Sequence, residues 1–208
     1  LFAFGSIVIF IIELFQSFKG MRWHEAVFSA MFHSVSTRSA GLTTYDVTSF
    51  NEATQLFMSV LMFIGASPSS VGGGIRTTTF AIVILFLIAF SRGQSDIQVF
   101  NREIHLIDVY RSFAVLIFAI IMVLGAAMVL FITETRATMM EVIFEITSAF
   151  GTCGMSLGIT EELTAFGKMV IMILMFVGRV GLISFLYTIG GSSSKKKYHY
   201  PKERIIIG

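Results

Sequence analysis

A long apolar segment, from Arg111 to Thr133, constrains this chain more than any other feature of its sequence. A helix needs about 20 apolar residues to cross the hydrocarbon core of a bilayer, and this segment is long enough. The composition agrees, because 55% of the 208 residues are hydrophobic and only 13% are charged, whereas soluble domains carry about 25% charged residues. The sequence therefore predicts an all-α integral membrane protein rather than a soluble domain.

Three other segments are candidates for membrane spans. Leu163 to Gly190 is apolar apart from Arg179, and Leu1 to Phe15 is typical of one end of a span. Thr54 to Phe90 holds two short apolar halves separated by the Gly- and Ser-rich residues 65–74, so neither half alone can cross a bilayer. The first residues lack the basic region and cleavage site of a signal peptide. We therefore expect the sequence to begin partway through a longer polypeptide.

Two shorter helices are predicted between the spans, over His24 to Val35 and over Met139 to Ala149. Each is too short and too polar to cross a membrane, and each is followed by small polar residues. They could be amphipathic helices on the surface. Alternatively, they could be re-entrant half-helices that end in extended loops inside the membrane.

An internal repeat favours the second interpretation. Gly41 and Gly154 are separated by 113 positions, and so are Gly65 and Gly178. At the same ungapped offset, residues 61–65 (LMFIG) align with residues 174–178 (LMFVG). The chain therefore contains two similar units, each consisting of a span, a short helix, a polar loop and a second span.

The repeated loops offer backbone carbonyl groups rather than charged side chains. Non-helical backbone at membrane depth is tolerated where it is buried in protein or lines a water-filled path. Glycine permits backbone angles that direct successive carbonyls to one side, and rings of carbonyls can replace the hydration shell of a monovalent cation. The carboxyl end of the preceding short helix adds partial negative charge. This order of elements indicates ion permeation.

The span, short helix, loop and span order, with the motifs STRSAGL (36–42) and GTCGM (151–155), resembles the Ktr/Trk/HKT superfamily of potassium transporters. The resemblance is greatest to the KtrB-type membrane subunit of bacterial Ktr systems. It implies four such units around one pore, of which this chain would be the third and fourth. It also implies K+ as the transported ion, Na+ as a modulator and no organic cofactor. The residues expected to line the selectivity filter are Ser39, Ala40, Gly41, Leu42, Thr152, Cys153, Gly154 and Met155.

The same resemblance implies an intramembrane gate below the filter, formed by residues 65–79 and Arg179. Alternatively, the Gly- and Ser-rich break is only a helix kink, and Arg179 forms an ion pair with Glu13, Glu25 or Glu145. An arginine within a span costs several kcal/mol unless it faces protein or water, so either role requires a polar surrounding. The expected gate residues are Gly65, Ser69, Ser70, Gly72, Gly73, Gly74, Thr77 and Arg179.

These assignments divide the chain into a pore repeat (1–90), a cytoplasmic connector (91–110), a second pore repeat (111–190) and a cytoplasmic tail (191–208). Basic residues in the connector and tail favour a multi-pass protein of the cell membrane with its carboxyl terminus in the cytoplasm. The resemblance implies a homodimer and a cytosolic nucleotide-binding regulatory ring of the KtrA type. Two further pore repeats and membrane lipid complete the expected partners, and nucleic acid is not among them. The expected dimer contact is Ile205, Ile206, Ile207 and Gly208.

Other classes of function are less compatible with the sequence. An intramembrane enzyme would need a nucleophile with its base, or a carboxylate pair, within the spans, and the sequence has neither. One cysteine, Cys153, excludes an intramolecular disulfide and a thiolate cluster. The main alternative is a secondary solute or ion symporter with discontinuous helices, but such transporters are typically built from inverted repeats, whereas the repeat here is parallel.

Overall fold

A computed structural model describes residues 1–68, 70, 72–93, 97–99 and 102–181 of the chain. Within these residues the structure is mostly helical, with two 3-10 helices at Val47–Ser49 and Ile159–Glu161 and one antiparallel pair of short strands. The α-helices are α1 (Phe2–Glu13), α2 (Trp23–Ser36), α3 (Glu52–Ile64), α4 (Thr77–Ser91), α5 (Leu106–Thr133), α6 (Met139–Phe150) and α7 (Ala165–Val180). The strands are β1 (Gln98–Val99) and β2 (Arg102–Glu103).

Helix α5 contains the long apolar segment. Within the described part of the chain it is the one helix that is long and apolar enough to cross a membrane, and α1, α3 and α4 are shorter apolar helices. The short helices predicted from the sequence are confirmed as α2 and α6, each within a residue or so of its predicted bounds. The predicted span from 163 to 190 begins as α7, and its part beyond residue 181 lies outside the described residues.

The break predicted between α3 and α4 is present but shorter than expected. The predicted segment extended to Thr79, whereas residues 77–79 form the first turn of α4. The extended conformation of Arg76 marks the boundary, and the apolar segment that follows continues the helix. We call residues 65–76 the interruption loop.

The predicted connector 91–110 differs from expectation in a similar way. Its centre contains the β1–β2 pair, in which Gln98 is opposite Glu103, and α5 already begins at Leu106. Asp108 lies in the first turn of α5, where a negative charge interacts favourably with the helix dipole. The connector between helices is therefore shorter than the sequence indicated.

The two units share their hydrophobic cores. One cluster joins α1, α2 and α3 with Phe144 of α6 and with Cys153 and Met155 from the loop after α6. The other joins α5, α6 and α7 with Ile75 of the interruption loop. Since α3 of the first unit also packs on α6 of the second, each unit buries apolar side chains of the other.

Candidate functional site

The first repeat loop (residues 36–42) folds back on the carboxyl end of α2. The carbonyl oxygen of Ser36 accepts hydrogen bonds from the backbone N–H groups of Ala40 and Gly41, both at 3.1 Å. The Ser36 hydroxyl donates to the carbonyl oxygen of Leu42. Ser39, Ala40 and Leu42 are exposed, so this part of the first repeat loop is accessible rather than buried.

The second repeat loop (residues 151–155) is held by one serine of α6. The Cys153 N–H donates to the carbonyl oxygen of Ser148 at 2.9 Å, and the Gly154 N–H donates to the Ser148 hydroxyl at 3.2 Å. Thr152 has a φ of +50°, which is unusual for a β-branched residue, and among the described residues it is the one non-glycine with positive φ. The loop therefore holds a conformation that its sequence alone does not favour.

The two repeat loops lie against each other. A methyl group added to Gly41 would collide with the carbonyl oxygen of Cys153, so only glycine fits at this contact. The Cys153 thiol lies 3.1 Å from the carbonyl oxygen of Ser36 and donates to it. Gly154 is exposed, whereas the side chains of Cys153 and Met155 are buried in the core. The structure thus brings the two loops that carry the predicted filter residues into contact at Gly41 and Cys153.

The interruption loop contacts both repeat loops. The backbone N–H of Gly73 donates to the Thr152 hydroxyl at 2.9 Å. A methyl group on Gly73 would lie 3.0 Å from the carbonyl oxygen of Gly178 in α7. A methyl group on Gly72 would come within 3.4 Å of atoms of Arg38 and Ser39. The interruption loop therefore lies against both repeat loops and α7.

Backbone hydrogen bonds tie the interruption loop to the two helices that it connects. The Ile75 N–H donates to the carbonyl of Phe63 at 3.1 Å, and the Thr77 N–H donates to the carbonyl of Ala66 at 3.3 Å. Gly65 and Gly74 have φ values of +60° and +78°, where other residues are strained. Of the remaining predicted gate residues, Ser70 is exposed and bonds to the carbonyl oxygen of Ser67, and Ser69 lies outside the described residues.

Arg179 is exposed near the end of α7. Among the described residues it forms no ion pair, and Glu13 and Glu145 have other hydrogen-bond partners. Its neighbour Gly178 approaches Gly73, so Arg179 follows directly the residue that touches the interruption loop. The ion-pair alternative for Arg179 therefore finds no support in the described residues.

Sequence reasoning missed three contributors to this site. In the sequence Gly178 is only the repeat partner of Gly65, although a glycine at both repeat positions indicates close backbone contact. Arg76 donates to the carbonyl of Pro68 at 2.9 Å and holds the interruption loop. Ser148 could not be selected among the many serines without coordinates. The predicted dimer contact at residues 205–208 lies outside the described residues.

The sequence of this chain matches the family described as TrkH, cation transport protein, over residues 1–195. The chain belongs to the TrkH family. It is 52% identical over 205 residues to the Ktr system potassium uptake protein D of Bacillus subtilis, covering 99% of this chain and 45% of that protein. It is 33% identical to the Ktr system potassium uptake protein B of the same organism, covering 99% and 46%.

A solved structure of a TrkH-family member has the same fold. The potassium transporter TrkH from Vibrio parahaemolyticus superposes with a TM-score of 0.75 at 17% identity, covering 89% of this chain and 41% of that one. The resemblance to Ktr and Trk proteins inferred from the motifs is thereby confirmed. The chain spans less than half the length of the relatives that it matches.

Proposed function

We propose that this chain supplies part of the ion path of a gated potassium uptake system in the cell membrane. The proposal rests on one observation above all, the direct contact between the two repeat loops at Gly41 and Cys153. Loops from two repeated units that meet in this way can surround an axis together with two further units. The relatives named as potassium uptake proteins, about twice as long, support this view.

The proposed selectivity step is replacement of the hydration shell of K+ by backbone carbonyl oxygens. The carbonyl groups of the repeat loops, at residues 39–42 and 152–155, would provide these oxygens from two of the four sides. Helices α2 and α6 end immediately before the loops, and their carboxyl ends stabilise a cation by their partial negative charge. No covalent chemistry is required, and the protein acts as a passive conductor rather than an enzyme.

The proposed gate is the interruption loop together with Arg179. The bond from Gly73 to Thr152 would hold the loop under the filter in a closed state. Opening requires this bond and the contact with Gly178 to break. The positive charge of Arg179, which directly follows the residue in contact with the loop, would raise the electrostatic barrier to a passing cation.

The remaining assignments extend this proposal to the whole protein. Two further repeats, a homodimer whose contact includes residues 205–208, and a cytosolic nucleotide-binding ring would complete the assembly. The connector and tail would face the cytoplasm, and Na+ would act as a modulator.

Two glycines of similar geometry provide a test of the filter. For Gly154 (φ +95°) and Gly20 (φ +94°), no atom of the described residues lies within 4 Å of where a methyl group would be added. Gly154→Ala and Gly20→Ala therefore impose the same backbone strain at different places. We expect Gly154→Ala to reduce rubidium uptake into proteoliposomes carrying the full-length protein, while Gly20→Ala leaves uptake near the wild-type rate. Equal effects of the two changes would contradict the proposed filter.

A further inference from the structure

Two buried polar side chains on α2 and α6 face the chain just after the repeat loops. His33 is fully buried, with its Nε2 atom 3.3 Å from the carbonyl oxygen of Tyr45 and its Nδ1 atom 2.9 Å from that of Ser29. Glu145 is 6% exposed, and its carboxylate accepts hydrogen bonds from the hydroxyls of Ser156 (2.7 Å) and Thr160 (2.6 Å). Neither residue belongs to the predicted filter or gate.

The two residues occupy the same position relative to the serine that holds each repeat loop. Each lies three positions before the serine that holds the repeat loop, since His33 precedes Ser36 and Glu145 precedes Ser148. Residues three apart on a helix share a face. Each helix therefore presents two adjacent polar side chains to one loop. The serine holds residues within the loop, and the residue three positions before it holds the chain that leaves the loop.

The network around Glu145 is the more complete of the two. The Thr160 hydroxyl also lies 2.8 Å from the Ser156 hydroxyl, which in turn accepts the N–H of Gly158 at 3.0 Å. Hydrogen bonds to a charged acceptor are stronger than neutral ones. Ser156 directly follows Met155, the last residue of the second repeat loop. The loop is thus fixed to α6 on both sides, by Ser148 within it and by Glu145 after it.

From this arrangement we infer that Glu145 is a positioning residue for ion selectivity, with His33 as its counterpart in the first unit. The inference rests on the proposed function. Discrimination between K+ and Na+ depends on the number and placement of the carbonyl oxygens around the ion. A loop that is hydrogen-bonded to α6 at both ends keeps its carbonyls in place. A loop that lacks the hydrogen bonds after Met155 can contract around the smaller ion. Loss of these hydrogen bonds therefore lowers the preference for K+ without blocking permeation.

The test measures rubidium and sodium uptake in the same proteoliposomes, using the full-length protein. Their ratio is independent of how much protein is folded, so it separates positioning from stability. We expect Ser156→Ala and Thr160→Val each to lower the ratio of rubidium to sodium uptake by about fivefold, because each removes one hydrogen bond to the carboxylate. Both variants keep Glu145 itself in place.

Glu145→Gln is the conservative variant. An amide accepts from one hydroxyl and donates to the other, so we expect it to keep the uptake ratio within about twofold of the wild type. Glu13→Gln is the matched control, because Glu13 is also a buried carboxylate, and within the described residues its hydrogen bonds come from the backbone N–H groups of Ser17 and Asn51. Its uptake ratio is expected to stay unchanged.

The outcomes separate this inference from the proposed function. If the wild-type protein takes up no rubidium, the proposed function fails. If the wild type conducts and Ser156→Ala and Thr160→Val retain its ratio, the positioning role of Glu145 is wrong while the proposed function stands. A ratio lost in Glu145→Gln but retained in the two hydroxyl variants also overturns it, because the charge of Glu145 and not its hydrogen bonds would then set selectivity.

Discussion

Thr152 combines backbone strain with a contact between units. Its positive φ is costly for a β-branched residue, and its hydroxyl receives the N–H of Gly73. A residue of the second repeat loop thus forms a direct hydrogen bond with the interruption loop. Strain at such a position persists only where the surroundings fix the conformation, and here the Cys153 bond to Ser148 does so.

Replacing Thr152 by Val tests the proposed closed state. The change keeps the shape of the side chain but removes the acceptor for Gly73. Because such a hydrogen bond contributes about 1 kcal/mol net, we expect an increase in rubidium uptake of about fivefold. Thr152→Ser retains the hydroxyl and is the control. If Thr152→Val and Thr152→Ser have the same uptake, the bond does not hold the gate closed.

Arg179 is the second residue whose removal should increase flux. At about 4 Å in water, two unit charges interact with about 1 kcal/mol, which corresponds to a change in rate of about fivefold. We therefore expect Arg179→Ala to increase uptake by about this factor and Arg179→Lys, which keeps the charge, to remain near the wild type. The measurement is initial rubidium uptake at equal protein density. An Arg179→Ala variant with unchanged flux would remove Arg179 from the gate.

At the level of whole elements, each unit ties the end of its first helix to the start of the helix that follows its repeat loop. Glu13, at the end of α1, accepts the N–H of Asn51 at 3.0 Å, and Asn51 caps α3. Glu134, at the end of α5, accepts the N–H of Thr164 at 3.0 Å, and Thr164 caps α7. Asn51 and Thr164 are again 113 positions apart. Negative charge at a helix amino terminus is favourable, so these carboxylates fix the frame around each loop.

Removing either carboxylate charge should lower stability rather than selectivity. Glu13 is fully buried and Glu134 only partly, so we expect Glu13→Gln to cost about 1 to 3 kcal/mol of unfolding free energy and Glu134→Gln less. Thermal unfolding of the full-length protein in detergent measures the effect. Glu52→Gln, an exposed residue in the first turn of α3, is the control. A midpoint for Glu13→Gln equal to that of Glu52→Gln would refute the role of Glu13.

Periodicity and the repeat predicted much of this architecture. The positions of α2 and α6, the break after α3, and the pairing of Gly41 with Gly154 all follow from local composition and one fixed offset. The offset did not reveal that the pair His33–Ser36 corresponds to the pair Glu145–Ser148. The second pair lies 112 positions after the first, whereas the repeat offset is 113. Nor did it predict the bond between Gly73 and Thr152, which joins residues far apart in the chain and depends on how the units pack.

On the scale of the whole molecule, the interruption loop of the first unit lies between two elements of the second. Gly73 touches the second repeat loop through Thr152 and touches α7 through Gly178. A side chain at this point would displace the loop from both, because the Gly178 contact is with backbone that cannot rotate away. Gly73 therefore couples the interruption loop to two elements of the second unit.

Gly73→Ala should therefore increase rubidium uptake. A variant that merely damaged the fold would decrease it. We expect a rise of a few-fold, comparable to that of Thr152→Val, because both changes loosen the same contact. Gly125→Ala is the control, since Gly125 lies within α5 with open space around it. Gly125→Ala should leave uptake unchanged. It should also stabilise the helix slightly, because alanine is a better helix former than glycine. Reduced uptake in Gly73→Ala with normal thermal stability would show that the interruption loop supports conduction instead of obstructing it.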